Sequence, residues 1–259
     1  MPKSKRELLK AYEWSAFDQF ATDQQKGYPR PDIQKPAPAG ALRVDLIPPD
    51  QFTIGGSSVV SVLRERKSHR YFTQTPLNIE EISFLLWATQ GVRHQSTEEG
   101  ITYVWRNVPS GGNRHPMETY LGVHNVIGVE TGLYRYLPLD HQLVLEKQDS
   151  NLPELINQGS LNQDSGTTRE PYYFIREAAV VFIWTAIPYR SEWRYHKAAS
   201  KLIALDAGHI CQNLYIAAGA IDAGTCAVGA FHQAKMNELV DVDGEEEFVI
   251  YMAPVGKVK

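Results

Sequence analysis

Pro109-Ser110-Gly111-Gly112-Asn113-Arg114-His115-Pro116 is the stretch from which the rest of this chain can be read. Two adjacent glycines remove Cβ atoms where a backbone must come close to a flat ring system, and a proline stiffens each end. Ser110 and Asn113 add a hydroxyl and an amide able to hydrogen-bond. The stretch describes a loop that can hold a flat polar ligand, although the same residues also suit an ordinary turn before a strand.

A second element lies upstream, Arg66-Lys67-Ser68-His69-Arg70. In an extended segment alternate side chains point the same way, so Arg66, Ser68 and Arg70 share one face. Two guanidinium groups around a hydroxyl suit a phosphorylated ligand, because a guanidinium can grip phosphate through two parallel hydrogen bonds. Taken alone, the segment also reads as a solvated basic patch at a helix end, where cations favour the dipole.

With 259 residues, 43% of them hydrophobic, the chain can bury a full core in one large domain. The formal net charge of −4 and the lack of a basic stripe argue against nucleic acid as a partner. No apolar stretch approaches the about twenty residues of a membrane span. The basic segment from Met1 to Lys10 is followed by no apolar run, so it does not read as a signal peptide. The two cysteines, Cys211 and Cys226, form no Cys-x-x-Cys pair, which predicts buried thiols and a reducing, cytoplasmic setting.

Helical spacing of Leu8, Leu9, Tyr12, Phe17 and Phe20 predicts a helix over Ser4 to about Gln24, followed by a Pro-rich extended arm from Tyr28 to Pro49. We therefore divide the chain into residues 1–56, a helix and arm, and residues 57–259, the ligand-binding domain. A helix is expected from Ser57 to Arg66, and another from the N-cap Asn78, with Glu81 completing a capping box, to Gly91. Thr119–Val126, Gly132–Leu137 and Gln142–Glu146 read as a strand meander, and the apolar run Ala178–Thr185 as a buried central strand. Ala198–Ala220 is the longest helix, with Leu202, Leu205, Ile210, Leu214 and Ala218 as its core set and the composition of a helix buried between two subunits. A last strand runs from Glu247 to Pro254.

In this order the motifs resemble the nitroreductase superfamily of FMN-dependent oxidoreductases, and within it the SagB-like branch, dehydrogenases associated with thiazole/oxazole peptide modification. The resemblance runs from Ser57 to Lys257. It is carried by Arg-x-Ser-x-Arg, Leu85–Gly91, the glycine loop, Gly132–Tyr136, Leu205–His209, Thr225–Phe231 and Met252–Lys257. It implies an α+β nitroreductase-like fold, with a central mixed, mostly antiparallel sheet flanked by helices, and a homodimer with flavin at the interface.

The resemblance also implies roles. Arg66 would hold the FMN phosphate, Ser68 the ribityl chain or ring edge, and Arg70 the N1 and O2 edge, where reduction builds negative charge. Pro109, Ser110, Gly111 and Asn113 would pack on the isoalloxazine from the other subunit. Val228, Gly229 and Ala230 would bring backbone N–H groups to N5, and Lys257 would be a second phosphate ligand. Peptide-modifying members carry a Lys-Tyr pair before the long helix. Here Tyr195 is kept and Arg194 replaces the lysine; a guanidinium can pair an anion but cannot serve as a base near neutrality. These two are the candidate catalytic residues, and a structural, half-buried tyrosine is the alternative.

Of the eight histidines, His115 is the candidate for substrate contact, and His209 is expected to bond a backbone carbonyl. No His or Cys spacing suggests a metal, and Asp241–Glu247 lacks the spacing of a calcium loop. The tryptophans read as core or interface. The implied activity is reduction of nitro or quinone acceptors by NADH or NADPH, or dehydrogenation of an organic or peptide substrate. The superfamily needs no Gly-x-Gly-x-x-Gly fingerprint. A non-catalytic flavin-binding scaffold of a peptide-modifying complex and a flavin-cleaving enzyme of the same fold stay open as alternatives.

Overall fold

A computed structural model describes residues 9–15, 17–98, 100–164 and 172–259. In chain order the helices are α1 (Tyr12–Ser15), α2 (Val59–Glu65), α3 (Ile79–Gln90), α4 (Leu152–Gly159), α5 (Tyr189–Tyr195), α6 (Ala199–Gly219) and α7 (Gln233–Leu239). The strands are β1 (Arg43–Asp45), β2 (Val92–Glu98), β3 (Ile101–Arg106), β4 (Met117–Val123), β5 (Gly132–Leu137), β6 (Gln142–Lys147), β7 (Val180–Ala186), β8 (Ala223–Thr225) and β9 (Phe248–Lys257).

Seven strands form one sheet in the order β1-β6-β5-β4-β7-β9-β8, and β2 and β3 form a separate hairpin. Every ladder of the large sheet is antiparallel. Parallel pairing occurs in isolated bridges such as Ser68 with Thr225. Strands β4, β5 and β7 are buried along their whole length, as expected of apolar runs covered on both faces. One face packs on α3 and α6 through Leu85, Leu86, Ile210 and Leu214; Ile156, Phe174 and Met236 cover the other.

Local signals explain the helix starts. Asn78 accepts the Glu81 N–H, and Glu81 accepts the Asn78 N–H, both at 2.9 Å, so the capping box fixes the first turn of α3. β9 continues to Lys257, beyond the expected end at Pro254, and Gly256 permits this because a Cβ there would lie 2.8 Å from the Phe72 ring.

The structure differs from expectation in three places. Within the described residues, the N-terminal segment makes only α1 and a 3-10 turn at Phe17–Gln19. Its side chains find a partner in Tyr195, whose ring lies 5.6 Å from Trp14, while Leu9, Tyr12 and Phe20 stay exposed. The Pro-rich arm supplies β1, which pairs with β6. Just upstream, the carbonyls of Lys35 and Pro36 accept the buried Arg135 guanidinium at 2.9 and 2.8 Å. Finally, α6 is not apolar all round: Leu205, assigned to its core, is 48% exposed and shares an outward face with Gly208 and His209.

Candidate functional site

Beyond α2 the chain becomes extended. Ser68 bridges to Thr225 of β8, and the His69 N–H donates to the Thr225 carbonyl at 2.9 Å. This crossing is close: a Cβ on Gly224 would lie 2.5 Å from the His69 ring. The pairing exposes Arg66, Ser68 and Arg70 and leaves His69 half-buried on the opposite side. Arg70 lies 5.9 Å from the Phe174 ring.

Tyr215 of α6 organises this face, and sequence reasoning missed it. Its hydroxyl shares a 2.9 Å hydrogen bond with Ser68 Oγ and accepts the Ala227 N–H at 2.9 Å. The Arg66 guanidinium lies 5.4 Å over its ring. The signal was a tyrosine in the last turns of the long helix, where a half-buried ring carries a hydroxyl that must find partners. Tyr215 thereby ties the Arg-Ser-Arg segment to the start of the 227–230 strip. A cleft of about 570 Å³ opens here, lined among others by Arg66, Lys67, His69, Tyr215 and Lys259, with Glu65 and Asp222 also in its wall. A neighbouring cleft of about 750 Å³ adjoins Ser68, Arg70 and Tyr172.

Within the strip, the Val228 N–H donates to the Met252 carbonyl at 2.8 Å, while Gly229 and Ala230 are exposed and the Ala230 carbonyl accepts Gln163 Nε2 at 2.5 Å. Lys257 is a correction. Its Nζ pairs with the Glu81 carboxylate and donates to the Ile221 carbonyl at 2.6 Å, so it braces α3 against the turn that follows α6 instead of facing the cleft. The C-terminal cation that lines the cleft is Lys259. The thiols of Cys211 and Cys226 are buried, and burial pushes Cys211 up to about 12, which keeps it protonated.

The glycine loop is held from within. Ser110 Oγ donates to Asp206 Oδ2 at 2.6 Å and accepts the His115 N–H at 2.9 Å. The Gly111 N–H donates to Asp206 Oδ1 at 3.1 Å. Asn113 Nδ2 donates to the Val104 carbonyl at 2.7 Å, and Asn113 Oδ1 lies 2.7 Å from His115 Nε2. The expectation that the Ser110 hydroxyl and the Asn113 amide face a ligand is therefore corrected, since both shape the loop. The exposed residues of the loop are Pro109 and Gly112, with Gly112 at φ 59°, while Gly111 is half-buried like its neighbours Ser110 and Asn113. Asp206 is buried, and burial raises its pKa above the usual carboxylate value.

Two histidine expectations change as well. His115 is buried, and burial together with Arg106, Arg114 and Arg190 lowers its pKa to about 2; it is a neutral loop brace and not a substrate contact. His209 is half exposed and faces Asp206 at 3.9 Å instead of a backbone carbonyl.

Arg194 and Tyr195 close α5, with the Arg194 guanidinium 5.6 Å over the Tyr195 ring. Tyr195 is half-buried, and its hydroxyl fills the space where Gly112 lacks a side chain: a Cβ there would lie 2.0 Å from Oη. Candidate catalytic tyrosine and glycine loop are thus in direct contact. The loop and the Arg-Ser-Arg face do not meet. Asp206 and Tyr215 are nine residues apart on α6, about 13 Å along its axis and half a turn around it.

Among the described residues no group of three His, Cys, Asp or Glu side chains converges as metal ligands, and no helix is long and apolar enough to cross a membrane.

Comparisons with known proteins cover most of the chain. A family described as Nitroreductase matches residues 63–257. A protein of Methanocaldococcus jannaschii named as a nitroreductase is 31% identical over 196 residues, 76% of this chain and 89% of that protein. The trifolitoxin-processing protein TfxB of Rhizobium leguminosarum bv. trifolii is 31% identical over 180 residues, 67% of this chain but 44% of that longer protein. Among solved structures, a chain from Anabaena variabilis, named as a nitroreductase, has a TM-score of 0.69 at 22% identity, covering 93% of this chain and 43% of its own. A chain of the Escherichia coli microcin synthetase McbBCD complex, solved with truncated pro-MccB17 bound, has a TM-score of 0.57 at 20% identity, covering 83% of this chain and 84% of its own.

Proposed function

The chain belongs to the nitroreductase family, and on that premise we propose that it is an FMN-dependent oxidoreductase acting as a homodimer. The observation that carries this reading is the Tyr215 junction: one hydroxyl couples Ser68 to Ala227 beneath the Arg66 guanidinium, at the wall of a cleft with several basic side chains. The fit to a phosphorylated ligand rests on Arg66 and Arg70, since among the described residues neither forms an ion pair with a carboxylate.

In this proposal Arg66 and Lys259 grip the phosphate, Ser68 bonds the ribityl chain or ring edge, and Arg70 stabilises negative charge at the N1 and O2 edge. The exposed Gly229 and Ala230 provide backbone N–H donors and space at N5, and Val228 anchors that strip to β9. Bound FMN supplies hydride transfer between an electron donor and an organic acceptor. Pro109, Gly111 and Gly112 of one subunit cover the ring held by the other, with Ser110 and Asn113 fixing their shape. The half-turn between the two halves of the site on α6 supports a second copy. So do the exposed apolar side chains Val59, Val60, Leu63 and Leu205, which a partner would cover.

NADH or NADPH is the proposed electron donor. A second reading, dehydrogenation of a peptide-derived substrate with electrons passed to dioxygen, is supported by the likeness to TfxB and by the fold shared with a microcin synthetase chain. Arg194 in place of lysine weighs against a lysine-type base in that route. The visible spectrum of the purified protein, before and after anaerobic NADH or NADPH, tests the proposal. Flavin bands that bleach support the reductase reading; bands that persist until an organic substrate is added support the dehydrogenase. A protein that holds no flavin and takes up none contradicts both.

A further inference from the structure

Three arginines are brought toward Tyr195 by contacts between separate parts of the chain: Arg30 from the Pro-rich arm, where the Tyr28 carbonyl accepts Trp193 Nε1 at 3.0 Å, Arg114 from the end of the glycine loop, whose Gly112 abuts Tyr195 and whose Asn113 amide bonds Val104 beside Tyr103, and Arg194 from α5. Each guanidinium lies over an aromatic ring, Arg30 over Tyr103 at 4.9 Å, Arg114 over Trp193 at 4.7 Å and Arg194 over Tyr195 at 5.6 Å. Their hydrogen bonds go to backbone: Arg114 Nε to the Arg190 carbonyl at 2.7 Å, and Arg30 Nη1 to the Thr102 carbonyl at 3.3 Å. The Arg30 Nε is buried with no partner.

No carboxylate among the described residues pairs with any of the three. Glu118, which follows the glycine loop on β4, is held by Arg190 at 2.5 Å and lies 3.9 Å from Arg135. Burial, with the charges of Arg30 and Arg194, depresses Arg114 to about 10. Like charges brought together and partly desolvated repel one another unless an anion joins them.

We propose that Arg30, Arg114 and Arg194 form a binding site for an oxyanion, a carboxylate or phosphate, on the molecule that exchanges hydride at this site. This rests on the proposed function, since the Tyr195 hydroxyl that borders the cluster abuts Gly112 of the ring-covering loop. The site is separate from the Arg66 face, which lies at the other end of α6. It gives Arg194 a task that a guanidinium performs well, bidentate recognition of an oxyanion, in place of base chemistry it performs poorly.

Paired probes differing in charge test this. Quenching of protein fluorescence, to which Trp193 beneath Arg114 contributes, is titrated with 4-nitrobenzoate and with 4-nitrobenzamide at low salt, on the purified full chain with and without FMN. The proposal predicts that the carboxylate binds about tenfold more tightly, and that Arg30→Gln and Arg194→Gln each erase most of that preference. Both residues reach the surface, and circular dichroism checks that the variants fold. The pair NADPH and NADH, differing by one phosphate, locates the source. A variant-sensitive preference for NADPH assigns the oxyanion to the nucleotide, and one confined to nitrobenzoate assigns it to the organic substrate. Equal binding within both pairs, or a preference that survives in the Arg30→Gln/Arg194→Gln double variant, overturns the proposal. Because the readout needs no flavin, failure to bind FMN counts against the proposed function alone.

Discussion

Gly112→Ala is the substitution whose outcome the structure constrains most closely. Two costs add at this position. Its φ of 59° lies in the left-handed region, where a side chain costs about 1–2 kcal/mol. The new methyl would also sit 2.0 Å from Tyr195 Oη and 2.8 Å from Cζ, and overpacking of that kind costs about 1–3 kcal/mol. The sum is a loss of about 2–5 kcal/mol in urea unfolding. A double-mutant cycle separates the parts: in a Tyr195→Ala background only the backbone cost should remain, giving a coupling of about 1–3 kcal/mol. Tyr195→Phe, which removes only the nearest atom, should relieve part of the clash. Strict additivity of Gly112→Ala and Tyr195→Ala would show that loop and tyrosine are not in contact and would remove the basis for placing Tyr195 at the site.

Acid should destabilise the protein in a defined window. Burial holds His115 at about 2 and His124 at about 4, both below the unfolded histidine value. The unfolded chain therefore binds more protons, and stability present above about pH 6.5 is lost as pH falls. Each histidine contributes a loss of about 2 kcal/mol between pH 8 and pH 5, read from urea midpoints; flat stability over that range refutes the assignment of both as buried and neutral. Lys257→Ala should lower stability by up to about 3 kcal/mol by leaving the Glu81 carboxylate without its cation, and Glu81→Gln in the same chain should restore part of it. A Lys257 variant that keeps full stability but loses FMN would reinstate the phosphate role. Arg66→Ala and Arg70→Ala should each weaken FMN binding by about 1.5–3 kcal/mol in equilibrium titration; unchanged affinity in both removes that face from the site.

The sequence announced elements better than it announced which way their side chains turn. The Asn78–Glu81 capping box, the meander and the apolar run of β7 are local patterns, and the structure contains them. The hairpin of β2 and β3 was invisible because Val92–Glu98 is largely polar and its pairing is with the next strand, not with the core. At the candidate site, residue type singled out the stretches but misjudged what several side chains bond to. Ser110, Asn113 and His115 have the donors and acceptors of ligand contacts, and they use them on Asp206, Val104 and one another. Asp206 and Tyr215, which hold the glycine loop and the Ser68 segment of the candidate site, act across long sequence separations that no local pattern reports. Lys257 was misplaced for the same reason, since its partner Glu81 lies on α3.

Titration of the purified, flavin-stripped protein with FMN tests whether the Arg66–Ser68–Arg70 face of this nitroreductase-family chain holds the flavin. Saturable uptake of one FMN per chain is expected, abolished in the Arg66→Ala/Arg70→Ala double variant while that variant stays folded. Absence of uptake by the parent protein, or undiminished uptake by the folded double variant, would contradict it.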